Sequence, residues 1–285
     1  MKRVLVIGAL GMAGHMISQY LKSLNKYHVL TLARKKHDSI SIDFKCDLEH
    51  PKQLEAIISD SNPDFVINCI GILNKFAENN HDTAILLNSY LPHFLSGLGN
   101  MYNFELIHIS TDCVFSGKKG GYIESDVKDG VGFYAETKAL GEINNNMDLT
   151  IRTSIIGPEL KNNGIGLFDW FLKQKGYING YLNAFWSGVT TLELAKAIDN
   201  FIDTKIAGLV HLTPSDKISK YNLLCIIKEV FSMNYVDIKA YNNPFVDKSL
   251  TNTRNDLDYN VLDYKEMLNE LYNWMKKKKD IYKRL

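Results

Sequence analysis

The first fourteen residues restrict the fold more than any other stretch. Val4-Leu5-Val6-Ile7 is an apolar run of strand composition, and Gly8-Ala9-Leu10-Gly11-Met12-Ala13-Gly14 follows at once, leading into Ile17 to Leu24 with helical spacing. A strand that turns on glycine into a helix opens a βαβ unit of a parallel sheet. Each glycine answers a separate physical demand. Gly8 lets the chain turn sharply, Gly11 removes the side chain that would keep a pyrophosphate off the backbone, and Gly14 lets the helix lie close to the strand. The helix N-terminus then offers N–H groups to phosphate oxygens. This predicts dinucleotide binding, with Gly8, Leu10, Gly11 and Met12 at the phosphates.

The alternation continues. His28 to Leu32 is a second strand, Ser39 to Phe44 a weaker third ending at Cys46-Asp47-Leu48, Phe65 to Ile70 a fourth, Leu106 to Ser110 a fifth and Leu149 to Ile156 a sixth. Asn62-Pro63-Asp64 reads as a turn, and Pro51 to Ser59 as a helix with Leu54, Ile57 and Ile58 on one face. The expectation is an α/β fold: a Rossmann-like doubly wound parallel sheet over residues 1–157, carrying the catalytic residues, and a smaller C-terminal substrate-binding α/β part over 158–285 with segments interleaved with the first. In that second part, Thr190 to Phe201 reads as a helix capped by Thr190 or Thr191, Leu209 to Leu212 as a strand, and Ser219 to Phe231 and Asp263 to Lys278 as helices. The lysines Lys276 to Lys279 suit a solvated helix end, where the dipole favours cations.

Charge narrows the partners. The 33 Lys and Arg against 32 Asp and Glu leave a formal +1, so no global field draws in nucleic acid or an anionic membrane, and an anionic ligand needs a local site. Cys46, Cys69, Cys113 and Cys225 lie far apart without CxxC spacing, and the histidines form no HxxH or HxxxH pair. Neither a disulfide framework nor a metal site is expected. No apolar run approaches a membrane span and nothing resembles a signal peptide, so a cytoplasmic protein is expected.

The second strand should end near the adenosine ribose. An acidic residue there would hold a 2′-hydroxyl, but the sequence reads Ala33-Arg34-Lys35-Lys36, and cations suit a 2′-phosphate. NADPH is the expected cofactor, with NADH as the alternative. Asp47 and Leu48 are placed near the adenine, and Cys69, Ile70 and Gly71 where the chain passes close to the cofactor.

A catalytic pattern follows the fifth strand, which runs into Ser110-Thr111-Asp112. Downstream, Tyr134-Ala135-Glu136-Thr137-Lys138 sets a tyrosine and a lysine four apart, on one face of a helix. An ammonium near a phenol favours the ionised form and tunes the phenol as a proton donor and acceptor. Thr111, at the C-terminal rim of a parallel strand, stands where such sheets bind ligands, with a hydroxyl to give a carbonyl oxygen.

Together, Gly8, Gly11 and Gly14, the run Ser110 to Gly117, Tyr122-Ile123-Glu124, Tyr134 with Lys138, Gly141-Glu142 and Arg152-Thr153-Ser154 resemble the extended short-chain dehydrogenase/reductases. Within them the sequence is most similar to the dTDP-4-dehydrorhamnose reductase group, to which the Ser-Thr-Asp triplet is most specific. The resemblance implies reduction of a 4-keto sugar on a nucleoside diphosphate. Tyr134 would protonate the alkoxide, Lys138 hold the nicotinamide ribose, Thr111 orient the keto oxygen and Asp112 help in proton relay. Asn88 matches an asparagine such enzymes carry beside the cofactor. Ser110, Thr111, Asp112, Val114, Tyr134, Arg152, Trp186 and Lys248 would meet the substrate, with Arg152, Lys161 and Lys248 as diphosphate candidates. Trp170, Phe171 and Trp186 suit stacking on a base or sugar, and core packing better.

The sequence departs from that group in places. Ala135 follows the tyrosine where glycine is usual, Phe185 to Thr190 lacks the proline of a Gly-x-Pro-Thr segment, and Asp247-Lys248-Ser249-Leu250 stands where an Arg-Pro pair and a serine are usual. These departures leave the sugar and nucleotide open. Two other readings remain: a non-catalytic NADP-binding subunit like that of methionine adenosyltransferase, and a nucleotide-sugar epimerase. A homodimer is compatible with any of them.

Overall fold

Val4 and Val6 of the first strand point into one core and Leu5 and Ile7 into another, as an inner strand of a sheet covered on both faces requires. The computed structural model describes residues 1–49, 51–161 and 164–282. Its main sheet contains β1 (Lys2–Ile7), β2 (Tyr27–Ala33), β3 (Phe44–Lys45), β4 (Phe65–Asn68), β5 (Glu105–Ile109), β6 (Leu149–Arg152) and, from late in the chain, β11 (Gly208–His211). Their order is β11-β6-β5-β4-β1-β2-β3, all parallel. The chain runs outward from β1 through β2 to β3 and then returns past β1 to β4. A crevice therefore opens between the carboxyl ends of β1 and β4, the place where doubly wound sheets take ligands.

One face is covered by α1 (Met12–Ser23), α8 (Thr191–Thr204) and α10 (Tyr264–Lys277) through Met16, Ile17, Leu21, Leu194, Ile198, Leu268 and Leu271. On the other lie α2 (Pro51–Ser61) and α5 (Leu91–Tyr102), through Leu54, Ile58, Leu91, Leu95 and Leu98. Burying each such side chain contributes about 1.5–3 kcal/mol. Between β4 and α5 run α3 (Asn74–Asn79), α4 (His81–Ala84) and a π-helical turn, Ile85–Tyr90; α6 (Phe133–Leu140) packs on them. The residues around β11 and α8 thus return to the first layer.

The remainder builds three small sheets: β7 (Ile155–Ile156) with β10 (Val189–Thr190), β9 (Ala184–Trp186) between β12 (Ile218–Ser219) and β14 (Val246–Asp247), and β8 (Gly176–Tyr181) with β13 (Val236–Tyr241). Two further helices are α7 (Leu167–Leu172) and α9 (Lys220–Val230). Of the two threonines, Thr190 caps α8, accepting Glu193 N–H at 3.2 Å. Asp263 and Glu266 form a reciprocal capping box on α10.

In two of the strands that are shorter than their apolar runs, the reason is local. Of the third run, Ser39 to Phe44, only Phe44 pairs, together with Lys45 just beyond it, because the Asp43 carboxylate takes the Thr31 N–H (2.9 Å) and hydroxyl (2.7 Å). The sixth run breaks after Arg152, and Ser154 offers its carbonyl to Val189 N–H at 2.8 Å, which sends Ile155 and Ile156 into another sheet.

Candidate active site

Gly8 turns with a backbone φ of +83°, and the N–H groups of Gly8 and Ala9 both meet Leu32 O at 3.0 Å, which seats the loop against the end of β2. A Cβ on Gly8 would lie 2.9 Å from the Ile70 side chain, and one on Gly14 only 2.2 Å from Gly8 O. Loop, strand end and helix are as close as backbone allows. Gly11 is exposed, and a Cβ there would meet only Gly8 O, at 3.3 Å, so the outer face of the loop is clear. α1 starts without a side-chain cap and without an acidic residue in its first turn. The positive end of its dipole is left for an outside anion. Leu10 and Met12 flank it half-buried, and Arg34, Lys35 and Lys36 are exposed immediately past β2. On the β4 side stand half-buried Cys69 and Ile70 and exposed Gly71. Asp47 is half-buried beyond β3, while Leu48 packs inward beside Leu54 and Ile58. This cradle fits a dinucleotide.

β5 delivers Thr111 to the rim. Its hydroxyl accepts Cys113 N–H at 3.1 Å and donates to Asp112 Oδ1 at 3.2 Å, capping the short helical turn Asp112–Val114. α6 presents Tyr134 and, one turn on, the buried Lys138. The phenol lies above its usual pKa. Burial is the chief cause, with Cys113 and Asp112 adding to it and a hydrogen bond with Thr111 opposing. Lys138 Nζ donates to Ile109 O at 2.9 Å and faces His108 Nε2 at 3.3 Å. A phenol so placed keeps its proton at neutral pH and has one to give. Burial likewise raises the Asp112 carboxyl, opposed first by Lys248 and, more weakly, by Lys220.

The Lys248 charge is thus felt at the Asp112 carboxyl. Lys220 is not signalled by any motif; it comes near as the first residue of α9. Cys113 and His108 were also missed. For His108 a signal existed, since a polar residue on β5 falls in register with the polar Asn68 on β4.

Other expected contacts are engaged elsewhere. Ser110 Oγ donates to Glu142 Oε1 at 2.7 Å. Arg152, 2% exposed, grips Glu142 through Nε (2.7 Å) and Nη2 (2.8 Å) while Nη1 donates to Glu124 O (3.2 Å), so no donor pair is left for a diphosphate. Val114 packs with Phe115, Tyr122 and Leu250. Trp186 is core, its ring 5.8 Å from that of Tyr264, and Phe171 is fully buried; Trp170 is partly exposed. Lys161 is exposed. Asn88 has no amide group to give a cofactor. Its Oδ1 accepts Ile72 N–H (2.8 Å), and its Nδ2 donates to Ile72 O (3.0 Å) and Thr137 Oγ1 (3.1 Å). It fastens the loop after β4 to the helix of Tyr134. Gly141 completes that joint, since a Cβ there would lie 1.9 Å from Asn88 O.

The model of one family, described as the RmlD substrate binding domain, matches residues 1–284. The chain belongs to this family. Curated relatives of this RmlD-family chain include a dTDP-4-dehydrorhamnose reductase of Aggregatibacter actinomycetemcomitans, 25% identical over 240 residues, covering 80% of this chain and 78% of that one. The beta subunit of methionine adenosyltransferase 2 from Bos taurus is 25% identical over 250 residues, covering 81% and 73%. Among solved structures, a dTDP-4-dehydrorhamnose reductase of Bacillus anthracis in complex with NADP superposes with a TM-score of 0.81 at 19% identity, covering 96% of this chain and all of that one, which establishes the shared fold. No helix among the described residues is long and apolar enough to cross a membrane.

Proposed function

We propose that this RmlD-family chain reduces the 4-keto group of a nucleotide-activated 6-deoxysugar with NADPH, in deoxysugar synthesis for surface polysaccharide. The observation that carries this reading is the convergence of Thr111, Tyr134 and Lys138 at the carboxyl end of β5, beside the crevice that the glycine loop opens. The name of the Aggregatibacter relative and the NADP in the Bacillus structure support it.

When bound, the nicotinamide supplies the hydride. The chain supplies position and a proton. The Tyr134 hydroxyl protonates the oxygen that gains charge as the carbonyl is reduced, and the Thr111 hydroxyl orients that oxygen. The first turn of α1 holds the pyrophosphate, and Arg34 the 2′-phosphate, which makes NADH the poorer donor. Lys248, whose charge is felt at Asp112, takes the substrate diphosphate. Purified protein mixed with NADPH and a panel of nucleotide 4-keto-6-deoxysugars should lose absorbance at the nicotinamide band.

A second reading, a non-catalytic NADP-binding subunit, is favoured by the similarity to the methionine adenosyltransferase subunit. Tight NADPH binding without turnover of any sugar would select it. Turnover of a sugar with no net NADPH consumption would instead indicate an epimerase. The homodimer belongs to this proposal too: the α3 to α6 layer exposes Phe76, Ile85, Tyr90 and Leu140, and light scattering of the purified protein tests it.

A further inference from the structure

The chain leaves two half-buried lysines unanswered. Seven lysines are half-buried among the described residues. Five of these have a partner within the chain: Lys2 has Ile202 O, Lys22 has Asp43, Lys196 has Glu193 and Glu270, Lys228 has Asp237 and Lys278 has Gln19. The other two, Lys220 and Lys248, make neither a hydrogen bond nor an ion pair among the described residues. An ammonium that has given up part of its water costs free energy unless another group replaces that water. Two of them facing one space also repel each other, so such a pair suits an anion that brings more than one charge.

The strands bring these two to one space. β9 runs between β12 and β14, and Ser219 and Asp247 pair with Phe185 from its two sides, roughly 10 Å apart at two strand spacings. Lys220 and Lys248 are the residues that follow them. Lys248 is pinned on both sides: Asp247 N–H donates to Gly117 O and Tyr122 N–H to Ser249 O, each at 2.8 Å. Asp247 and Ser249 are buried, the Asp247 carboxylate accepting the Ser249 N–H and hydroxyl, and the alternation of an extended chain turns Lys248 the other way. Its stem crosses Gly117, where a Cβ would lie 2.9 Å from Lys248 Cγ, and Gly117 ends the loop that starts with Ser110-Thr111-Asp112. Lys220 opens α9, whose first turn has no acidic side chain. The carboxyls around them do not answer either charge. Asp247 is engaged by Lys217, and Asp112, which feels both lysines, is held above its usual pKa by burial.

We propose that Lys220 is a second diphosphate-binding residue, forming with Lys248 a clamp that places one cation on each phosphate of the substrate. That the diphosphate belongs to a nucleotide sugar rests on the proposed reductase function. The clamp supplies what Arg152, committed to Glu142 and Glu124, does not. It also makes two phosphates a requirement: a nucleoside monophosphate reaches only one of the two lysines, so the second charge is the source of preference for the diphosphate.

Calorimetric titration of the NADPH-saturated protein, whose own pyrophosphate site is then filled, with dTDP, UDP, GDP and CDP and with the corresponding monophosphates reads the clamp directly. The diphosphate that binds best should bind about tenfold or more tighter than its monophosphate. Lys220→Met should weaken that diphosphate about tenfold, Lys248→Met by a similar factor, and Lys220→Arg, which keeps the charge, should stay within about threefold of the unaltered protein. If Lys220→Met does not fold, Lys220→Gln reads the same loss. Diphosphate affinity within about twofold of the parent in the uncharged variant overturns the proposal. So does a Lys220→Arg protein as weak as Lys220→Met, equal affinity for diphosphate and monophosphate, or no binding of any diphosphate. None of these titrations needs turnover. Diphosphate binding through Lys220 with no sugar reduced would sink the reductase reading and leave the clamp standing, whereas a sugar reduced with unchanged KM by Lys220→Met would do the reverse.

Discussion

Glu142 and Arg152 meet beside the catalytic strand in two nearly parallel bonds of 2.7 and 2.8 Å, both side chains 3% exposed. Removing one partner strands the other charge out of water, which costs about 3–5 kcal/mol. Arg152→Leu should lower the stability measured by urea unfolding by that amount. A loss under about 1 kcal/mol, with substrate affinity instead reduced, would restore the diphosphate role that the structure denies to Arg152.

The proposed cofactor preference rests on Arg34. Arg34→Ala should weaken NADPH binding by about 10-fold or more, since charge-assisted bonds contribute roughly 1.5–3 kcal/mol, and leave NADH nearly unchanged. Titration of nicotinamide fluorescence compares the two. Equal losses would remove the 2′-phosphate argument.

Gly141→Ala tests how closely the catalytic helix must sit on the π-helical turn. With 1.9 Å between the new Cβ and Asn88 O, either α6 or the turn must move. Overpacking of this kind costs about 1–3 kcal/mol, and a shift of about 1 Å at Tyr134 can lower kcat about 100-fold. A variant with unchanged kcat and melting temperature would show that the joint is looser than the structure indicates.

His15 makes stability depend on pH. Its Nδ1 donates to Gly11 O at 2.8 Å, its Nε2 is buried without a partner, and burial lowers its pKa to about 4. The unfolded chain takes up the proton near 6.5, so the neutral form stabilises the fold above that pH, and this contribution is lost as pH falls from 6.5 toward 4. Between pH 7 and 5 the loss is about 2 kcal/mol. His15→Asn, which keeps a donor for Gly11 O, should flatten the pH dependence of urea unfolding by that amount. Parallel curves for the two proteins would mean that His15 is protonated without penalty.

Much of this was legible in the chain because the signals were local. A strand, a glycine turn and a helix are adjacent in sequence, and Tyr134 and Lys138 share a face at any helical spacing of four. What escaped was set by long-range pairing. Arg152 reads as a free cation until Glu142 and Glu124 are brought to it. Trp186 reads as core more than as a stacking platform, and the contact with Tyr264 that makes it core is distant in sequence. The Lys220 charge is felt at Asp112 because β12 pairs with β9 and starts α9 at that point. Long-range packing likewise sets Lys138 Nζ against Ile109 O and His108, contacts that the spacing of four does not show.

The most direct test of the account is the rate of NADPH oxidation by Tyr134→Phe with a nucleotide 4-keto-6-deoxysugar that the unaltered protein reduces. Removing the phenol's proton while keeping its ring should lower kcat by about 100-fold or more, with NADPH affinity within about twofold. Turnover equal to that of the unaltered protein would contradict the assignment of Tyr134 as proton donor and, with it, the proposed mechanism.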